Sequence, residues 1–265
     1  MRVDRMMVVA AVAAAVATGV VTAPVASASA QSFCGELGGD WDGHYCRTMV
    51  VSERKANRDI KVAIPGDLID NSITSLAIRP YLRDLFTNWR AKGASMVQDS
   101  WGTENFQVFR HGSALSVVFH EEYNSSGVEL MNGFRTFTFD MNSGRQLQLA
   151  DITKPGVDPL VAIPPLAAPI ITEALDRARP PYNQPGTYPF TVDRWTPPTP
   201  FSGNYKAWAL TPDELILYLP DYPVAHDSPI NYDVLNQWSM NGGVVQAHIP
   251  LAVLSPILRP EFGGA

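Results

Sequence analysis

Apolar and polar positions change rhythm several times along this chain. An alanine-rich apolar run covers residues 6–21 and is broken at Pro24. Alternation over residues 58–64, closed by Pro65-Gly66, predicts a short strand and a turn. From Asp70 to Ala91 the period lengthens, with Ile73, Leu76, Ala77, Leu82, Leu85, Phe86 and Trp89 recurring at three and four. That spacing predicts a helix with Asp70 or Asn71 as N-cap, Gly93 as stop, and a kink or break at Pro80. Its apolar stripe is expected to pack through Leu76, Leu85 and Trp89. Alternation returns in residues 106–110, 115–123, 134–141 and 146–152, which are rich in β-branched and aromatic side chains. Gly112-Ser113, Asn124 to Gly127, and Asn142-Ser143-Gly144 punctuate these segments, so they read as an antiparallel meander. Such a sheet normally buries one face and wets the other.

A second helix is expected over residues 165–178, opened by Asp158-Pro159 and ended by Pro180-Pro181. Residues 182–205 are dense in proline and aromatics and suit neither a helix nor a central strand. Residues 215–219 and 244–249 read as strands, with an irregular excursion over 221–243 between them. Helices segregated from a twisted, mainly antiparallel sheet make the fold α+β. Long proline- and aromatic-rich loops complete it.

The first thirty residues form a unit of their own. Arg2 and Arg5 precede the apolar run, and Ala28-Ser29-Ala30 follows it as a small-x-small cleavage pattern. This is the layout of a secretory signal peptide cut between Ala30 and Gln31. The run is shorter than the ~20 residues of a membrane-spanning helix. Phe33 before Cys34 makes a poor lipoprotein signal. Residues 31–265 are then expected to form one secreted domain, or two lobes divided near 153–160. No transmembrane segment is expected after cleavage, because the apolar stretch 160–171 is short and holds Pro164, Pro165 and Pro169. The formal charge of −6 becomes −7 once Arg2, Asp4 and Arg5 are removed, and an acidic chain without a basic cluster argues against nucleic-acid binding.

Both cysteines lie in Phe33-Cys-Gly-Glu-Leu-Gly-Gly-Asp-Trp-Asp-Gly-His-Tyr-Cys46. With eleven residues between them and an oxidising destination, a disulfide Cys34–Cys46 is the natural reading. Zinc would need more ligands than His44 can add, and redox catalysis would want Cys-x-x-Cys. Asp40-Trp41-Asp42-Gly43 resembles the start of a calcium loop but lacks its later ligands.

Cys-x11-Cys after a signal peptide, with Glu36-Leu37 and a central glycine, resembles the secreted mycobacterial immunogenic-protein family (MPT-sixty-four type). That family shares its main module with the extracellular domain of lysozyme-sensing anti-sigma factors. Further blocks follow in the family's order: Phe137-Thr138-Phe139-Asp140 with Asn142-Ser143-Gly144; Leu147-Gln148-Leu149-Ala150-Asp151; Asp158-Pro159-Leu160; residues 205–218; and His248-Ile249-Pro250. The resemblance implies a β-grasp-like sheet with helices packed on it, and an immunogenic exported protein. One departure stands at Asn124 to Glu129, where relatives carry a Gly-Gly-x-His turn; a structural hairpin without catalytic or metal role is expected there.

Candidate chemistry is sparse. No Gly-x-Ser-x-Gly elbow occurs, and Ser113 and Ser126, the nearest candidate nucleophiles, sit in expected turns. His120 and Glu122 share a strand face, with Glu121 on the other, and His111 could meet His120 across the hairpin. The competing reading is a sheet face that is polar because water covers it. His226-Asp227 suits a loop turn, and His44 and His248 stand alone. No cofactor fingerprint, catalytic set or metal set is assigned. Tyr182, Tyr188, Phe190, Trp195, Phe201, Tyr205, Tyr222, Tyr232 and Trp238 fall in irregular segments, where they either contact a partner or roof the sheet. Two functions remain. One is an exported, non-enzymatic binding protein of the cell envelope or extracellular space that contacts an envelope component or protein through aromatic loops. The other, by family analogy, is an exported carboxylesterase for short acyl esters.

Overall fold

The computed structural model describes residues 25–124, 130–178, 192–220, 230–232, 237–241 and 244–265. Four layers follow one another: helices, a large sheet, a small sheet and a final helix. Helix α1 (Val25–Leu37) leads into β1 (Asp40–Trp41), β2 (Tyr45–Val51) and β3 (Asn57–Ala63). Helices α2 (Gly66–Asp70) and α3 (Ser75–Ala94) then cross over to β4 (Ser100–His111). The crossover lets β4 lie parallel to β3, whereas its other neighbour, β5 (Ala114–Asn124), is antiparallel. β6 (Leu130–Asp140) and the short β7 (Arg145–Gln146) continue the meander. Asn124 stands opposite Leu130, so the turn expected at residues 124–129 joins paired strands; residues 125–129 lie outside the described residues.

Helices α1 to α3 cover one face of this sheet. Asn71 opens the α3 region by accepting backbone N–H bonds from Ile73 and Thr74 on Oδ1 at 2.9 and 3.3 Å. Leu85, Phe86 and Trp89 are buried over Ile60, Val62, Val117, Phe119 and Phe137. The Trp89 ring lies so close to Gly102 that a Cβ there would meet it at 2.8 Å. Leu76 does not share this stripe: it is 80% exposed, because the buried face of α3 runs through Ile78, Tyr81, Leu82, Leu85, Phe86 and Trp89 and leaves Leu76 on the other side. Pro80 neither divides nor ends the helix. It is exposed, as is Leu76, whose carbonyl loses its usual partner, so that end of the helix is open to water.

After β7 the expected strand over residues 146–152 is cut short by a 3-10 turn (Leu149–Asp151). Asp151 Oδ2 takes the Gln148 N–H at 2.7 Å, a reciprocal cap that turns the chain despite its alternating pattern. Helix α4 (Pro159–Ala178) starts six residues earlier than expected and runs unbroken through Pro164, Pro165 and Pro169. Asp158 caps it through the Leu160 N–H at 2.9 Å. Among the described residues α4 is long and apolar enough by composition to cross a membrane, unlike the short stretch expected there. Here its face of Ile163, Ala167, Ile171, Ala174 and Leu175 is buried on a three-stranded sheet. That sheet, ordered β12-β9-β8, consists of β8 (Trp208–Leu210), β9 (Glu214–Pro220) and β12 (Val244–Pro250). The excursion expected to be irregular contributes β10 (Ile230–Tyr232) and β11 (Gln237–Asn241), and β11 pairs with β6 at the edge of the large sheet. Helix α5 (Leu251–Leu254) and a last 3-10 turn (Pro260–Phe262) close the chain.

The small sheet presses its inner face on the large one. Val118 and Phe134 meet Ile216 and Tyr218 there, and β8 lends two backbone N–H groups to the large sheet's hydroxyls. Trp208 N donates to Thr136 Oγ1 and Leu210 N to Ser116 Oγ, each at 3.0 Å. The second face of the large sheet is therefore dry where β8 and β9 cover it. Only its other half faces water.

Candidate functional site

The open half of that face is built by register. Trp101 to His111 pair with Ala114 to Asn124 through a two-residue turn, so Asn105 stands opposite His120, and His120 stands opposite Phe134 on β6. Tyr45 on β2 belongs to the same row, and its hydroxyl donates to Asn105 Oδ1 at 2.8 Å. The next row runs Arg47, Lys61, Thr103, Glu122, and the outermost Met49, Asp59, Trp101, Asn124. Because side chains alternate along a strand, all three rows share one face. The residues between them, such as Cys46, Ile60 and Glu104, point to the helices.

Hollows lie along this face. A broad outer depression of about 490 Å3 is lined by Met49, Asp59, Lys61, Ser100, Trp101 and Asn124. Trp101 is 39% and Met49 56% exposed there. A smaller cavity of about 160 Å3 lies at the seam with the small sheet, against Asn105, Gln107, His120, Phe134, Tyr218 and Gln246. His120 stacks on Phe134 at 4.3 Å and 17°, and Phe134 on Tyr218 at 4.8 Å and 21°, so one aromatic stack joins the sheets. Burial raises the Tyr218 pKa, which keeps the phenol neutral. Of the charges nearby, Lys61 pairs with Asp59 at 3.1 Å and Arg47 with Asp42 and Asp59 at 3.7 Å each, while Glu122 and Asp99 add further carboxylates. A face with amides, hydroxyls and aromatic rings, whose cations are already paired, suits an uncharged polar ligand over an anionic one.

The cysteine loop sits at the edge of this face. Cys34 on α1 and Cys46 on β2 are joined, with Cα atoms 5.2 Å apart. Gly39 passes so close that a Cβ would meet Cys46 Sγ at 2.5 Å. Asp42 Oδ1 accepts the His44 and Tyr45 N–H groups at 3.0 and 2.7 Å, and these bonds lower its pKa. Its carboxylate thus serves the turn and Arg47.

The other sequence candidates separate. His111 does not meet His120: the tight turn fixes it opposite Ala114, and its Nδ1 lies 3.2 and 3.0 Å from the carbonyls of Thr211 and Pro212. The Ser113 and Ser143 hydroxyls bond the Asp140 carboxylate and lower its pKa. His248 pairs with Glu214 at 2.9 Å, and His44 packs edge-on against Tyr45. Ser126 and His226-Asp227 lie outside the described residues. Trp195 and Tyr205 are buried and roof the small-sheet core. Tyr182, Tyr188, Phe190, Phe201, Tyr222, Tyr232 and Trp238 lie outside the residues whose side chains are described. Sequence reasoning missed Tyr45, Trp101, Asn105 and Tyr218. Counting outward from Gly112-Ser113 would have paired Asn105 with His120.

Behind the open face, Glu104 and Glu121 stand opposite each other on β4 and β5, both buried. The Tyr81 hydroxyl from α3 bonds Glu104 and lies 3.2 Å from Glu121 Oε1. Burial, then the neighbouring Glu121, pushes the Glu104 carboxyl well above the usual range, and burial with both acids raises Tyr81. A protonated Glu104 can donate to the Tyr81 oxygen while Tyr81 donates to Glu121. Tyr81, Glu104 and Glu121 are all buried, as suits a core polar network.

A family model described as "Mannan-binding protein" matches residues 23–60, which span α1 to β3. Another, described as "Protein of unknown function (DUF3298)", matches residues 150–252, the lobe of α4 and the small sheet. A crystal structure of a DUF3298 family protein from Pseudomonas aeruginosa is 16% identical, covering 83% of this chain and 94% of that one with a TM-score of 0.52. A DUF3298 member from Bacteroides fragilis is 15% identical over 81% of this chain and 91% of its own, with a TM-score of 0.48. The first of these shows a shared fold. No curated protein matches the chain.

Proposed function

We propose that this chain is an exported, non-enzymatic binding protein whose open sheet face holds a neutral glycan of the envelope or its surroundings. The observation that carries the reading is the face itself: exposed Trp101, amide and hydroxyl side chains, and cations already paired with carboxylates. Sugar rings offer apolar faces to an aromatic ring and hydroxyls that both donate and accept, which amides match. The model named for mannan binding covers the segment that supplies Tyr45, Arg47, Met49 and Asp59 to this face. Export is part of the same proposal, through the amino-terminal signal and the disulfide, and so is kinship with the secreted mycobacterial immunogenic family. Helix α1 runs across the expected cleavage point, yet residues 31–37 keep Phe33, Cys34 and Leu37 in the core.

Affinity electrophoresis in gels containing mannan tests the reading. The protein should be retarded, and Trp101→Ala should abolish retardation while changing stability by no more than about 0.5 kcal/mol. Unchanged mobility in mannan and in other neutral polysaccharides would remove the glycan. Turnover of chromogenic acyl esters, with labelling by a serine-reactive phosphonate, would put the carboxylesterase in its place.

A further inference from the structure

We propose that the seam cavity is a dead-end subsite for the terminal ring of the glycan, so that the protein recognises chain ends. This rests on the glycan reading of the open face. Trp101, Thr103, Asn105 and Gln107 lie on one side of β4, and they lead from the outer depression into the seam. Trp101 and Asn105 are four residues apart, or about 14 Å along a strand. A chain stacked on Trp101 and following this line runs into the small sheet, where Tyr218 of β9 and Gln246 of β12 close the way. It has to stop there.

Size and chemistry agree. A cavity of about 160 Å3 takes a single six-membered ring, since benzene fills one of about 150 Å3. The His120, Phe134 and Tyr218 stack supplies an apolar wall. Gln107 and Gln246 supply amides, each able to donate and accept at once, as neighbouring hydroxyls require, and Asn105 adds a third amide. The Tyr45 hydroxyl occupies Asn105 Oδ1, which fixes the amide's orientation and leaves its N–H pair as the donor. Among the described residues no carboxylate, ammonium or guanidinium lines the cavity, which favours an uncharged ring.

Calorimetry with linear mannotetraose tests the proposal, using the free sugar, its reducing-end methyl glycoside and its 4,6-O-ethylidene derivative blocked at the other end. One block should weaken binding at least tenfold. Gln107→Ala and Gln246→Ala, both at exposed positions, should weaken the free chain and add no loss for the blocked one. If both blocked sugars and both variants bind like the parent pair, while Trp101→Ala still abolishes binding, the dead end is wrong and the open-face reading stands. If the wild-type protein binds neither mannotetraose nor mannan, the underlying reading fails with it.

Discussion

Replacing Glu104 by glutamine should flatten the pH dependence of stability. The group is wholly buried, bonded to Tyr81 and opposed by Glu121, and its carboxyl pKa is raised well above the ordinary value. Lys92 from α3, Arg58 from β3 and Arg135 from β6 lie in the same electrostatic neighbourhood; burial lowers the pKa of each. With a raised pKa in the folded state, the folded protein holds a proton that the unfolded chain gives up. Stability from this group is therefore complete below the unfolded value, near 4.3, and is lost as pH rises towards the folded value. The slope is about 1.4 kcal/mol per pH unit while the folded group stays protonated, or up to ~2.7 kcal/mol between pH 5 and 7. The amide introduced by Glu104→Gln would keep a neutral partner for Tyr81 and carry no proton to lose. Urea unfolding followed by tryptophan fluorescence at pH 5, 6, 7 and 8 should show the variant gaining on the wild type by roughly 1–3 kcal/mol across the series. Parallel curves would show that Glu104 ionises in the fold as it does in water, and the raised carboxyl pKa would be wrong.

Other expectations follow from the helical layer. Leu85→Ala should cost roughly 2–5 kcal/mol, and Leu76→Ala less than about 0.5, by thermal or denaturant unfolding. Equal effects would mean the buried stripe of α3 is misplaced. Reducing Cys34–Cys46, or replacing both cysteines by serine, should remove on the order of 3 kcal/mol, read as a lower urea midpoint. An unchanged midpoint in the double variant would show that the staple constrains nothing.

Much of the fold was legible because local patterns and tertiary structure agree. The alternation of residues 115–123 and 134–141 reads directly as β5 and β6, since the core face of both is apolar. β4 was readable only from Phe106 onward. Its first half puts Gly102 under Trp89 and Glu104 in the core, positions that look like loop in a hydrophobicity pattern. The prolines of α4 delayed its expected start because propensity weighs against them, while burial of Ile163, Ala167 and Ile171 outweighs that cost. The site was less legible than the fold. Its residues come from β2, β3, β4, β5 and β6 and converge only through pairing, and the seam needs Tyr218 and Gln246 from a second sheet. Polarity on alternate positions could announce a wet face, as for His120 and Glu122. It could not say that a neighbouring sheet would end that face in a wall.

The staple and the proposed binding face meet on β2, and this would tie the proposed compartment to the proposed function. β2 lies near the edge of the large sheet, with β1 covering only Cys46 and Arg47. Its alternation sends Tyr45, Arg47 and Met49 to the open face, and Cys46 towards α1. One side chain of this strand is thus bonded covalently to the helix layer, while its neighbours on either side supply the ligand face. The Tyr45 hydroxyl that orients Asn105 belongs to the residue just before the cysteine, and Arg47, which is paired with Asp59, to the residue just after it. An edge strand has partners on one side only, so fastening it limits fraying where side chains of the outer depression must keep their places. An oxidising destination would then supply the bond that holds this edge of the binding face in register. The same sulfur pair that suggests export would serve recognition after it.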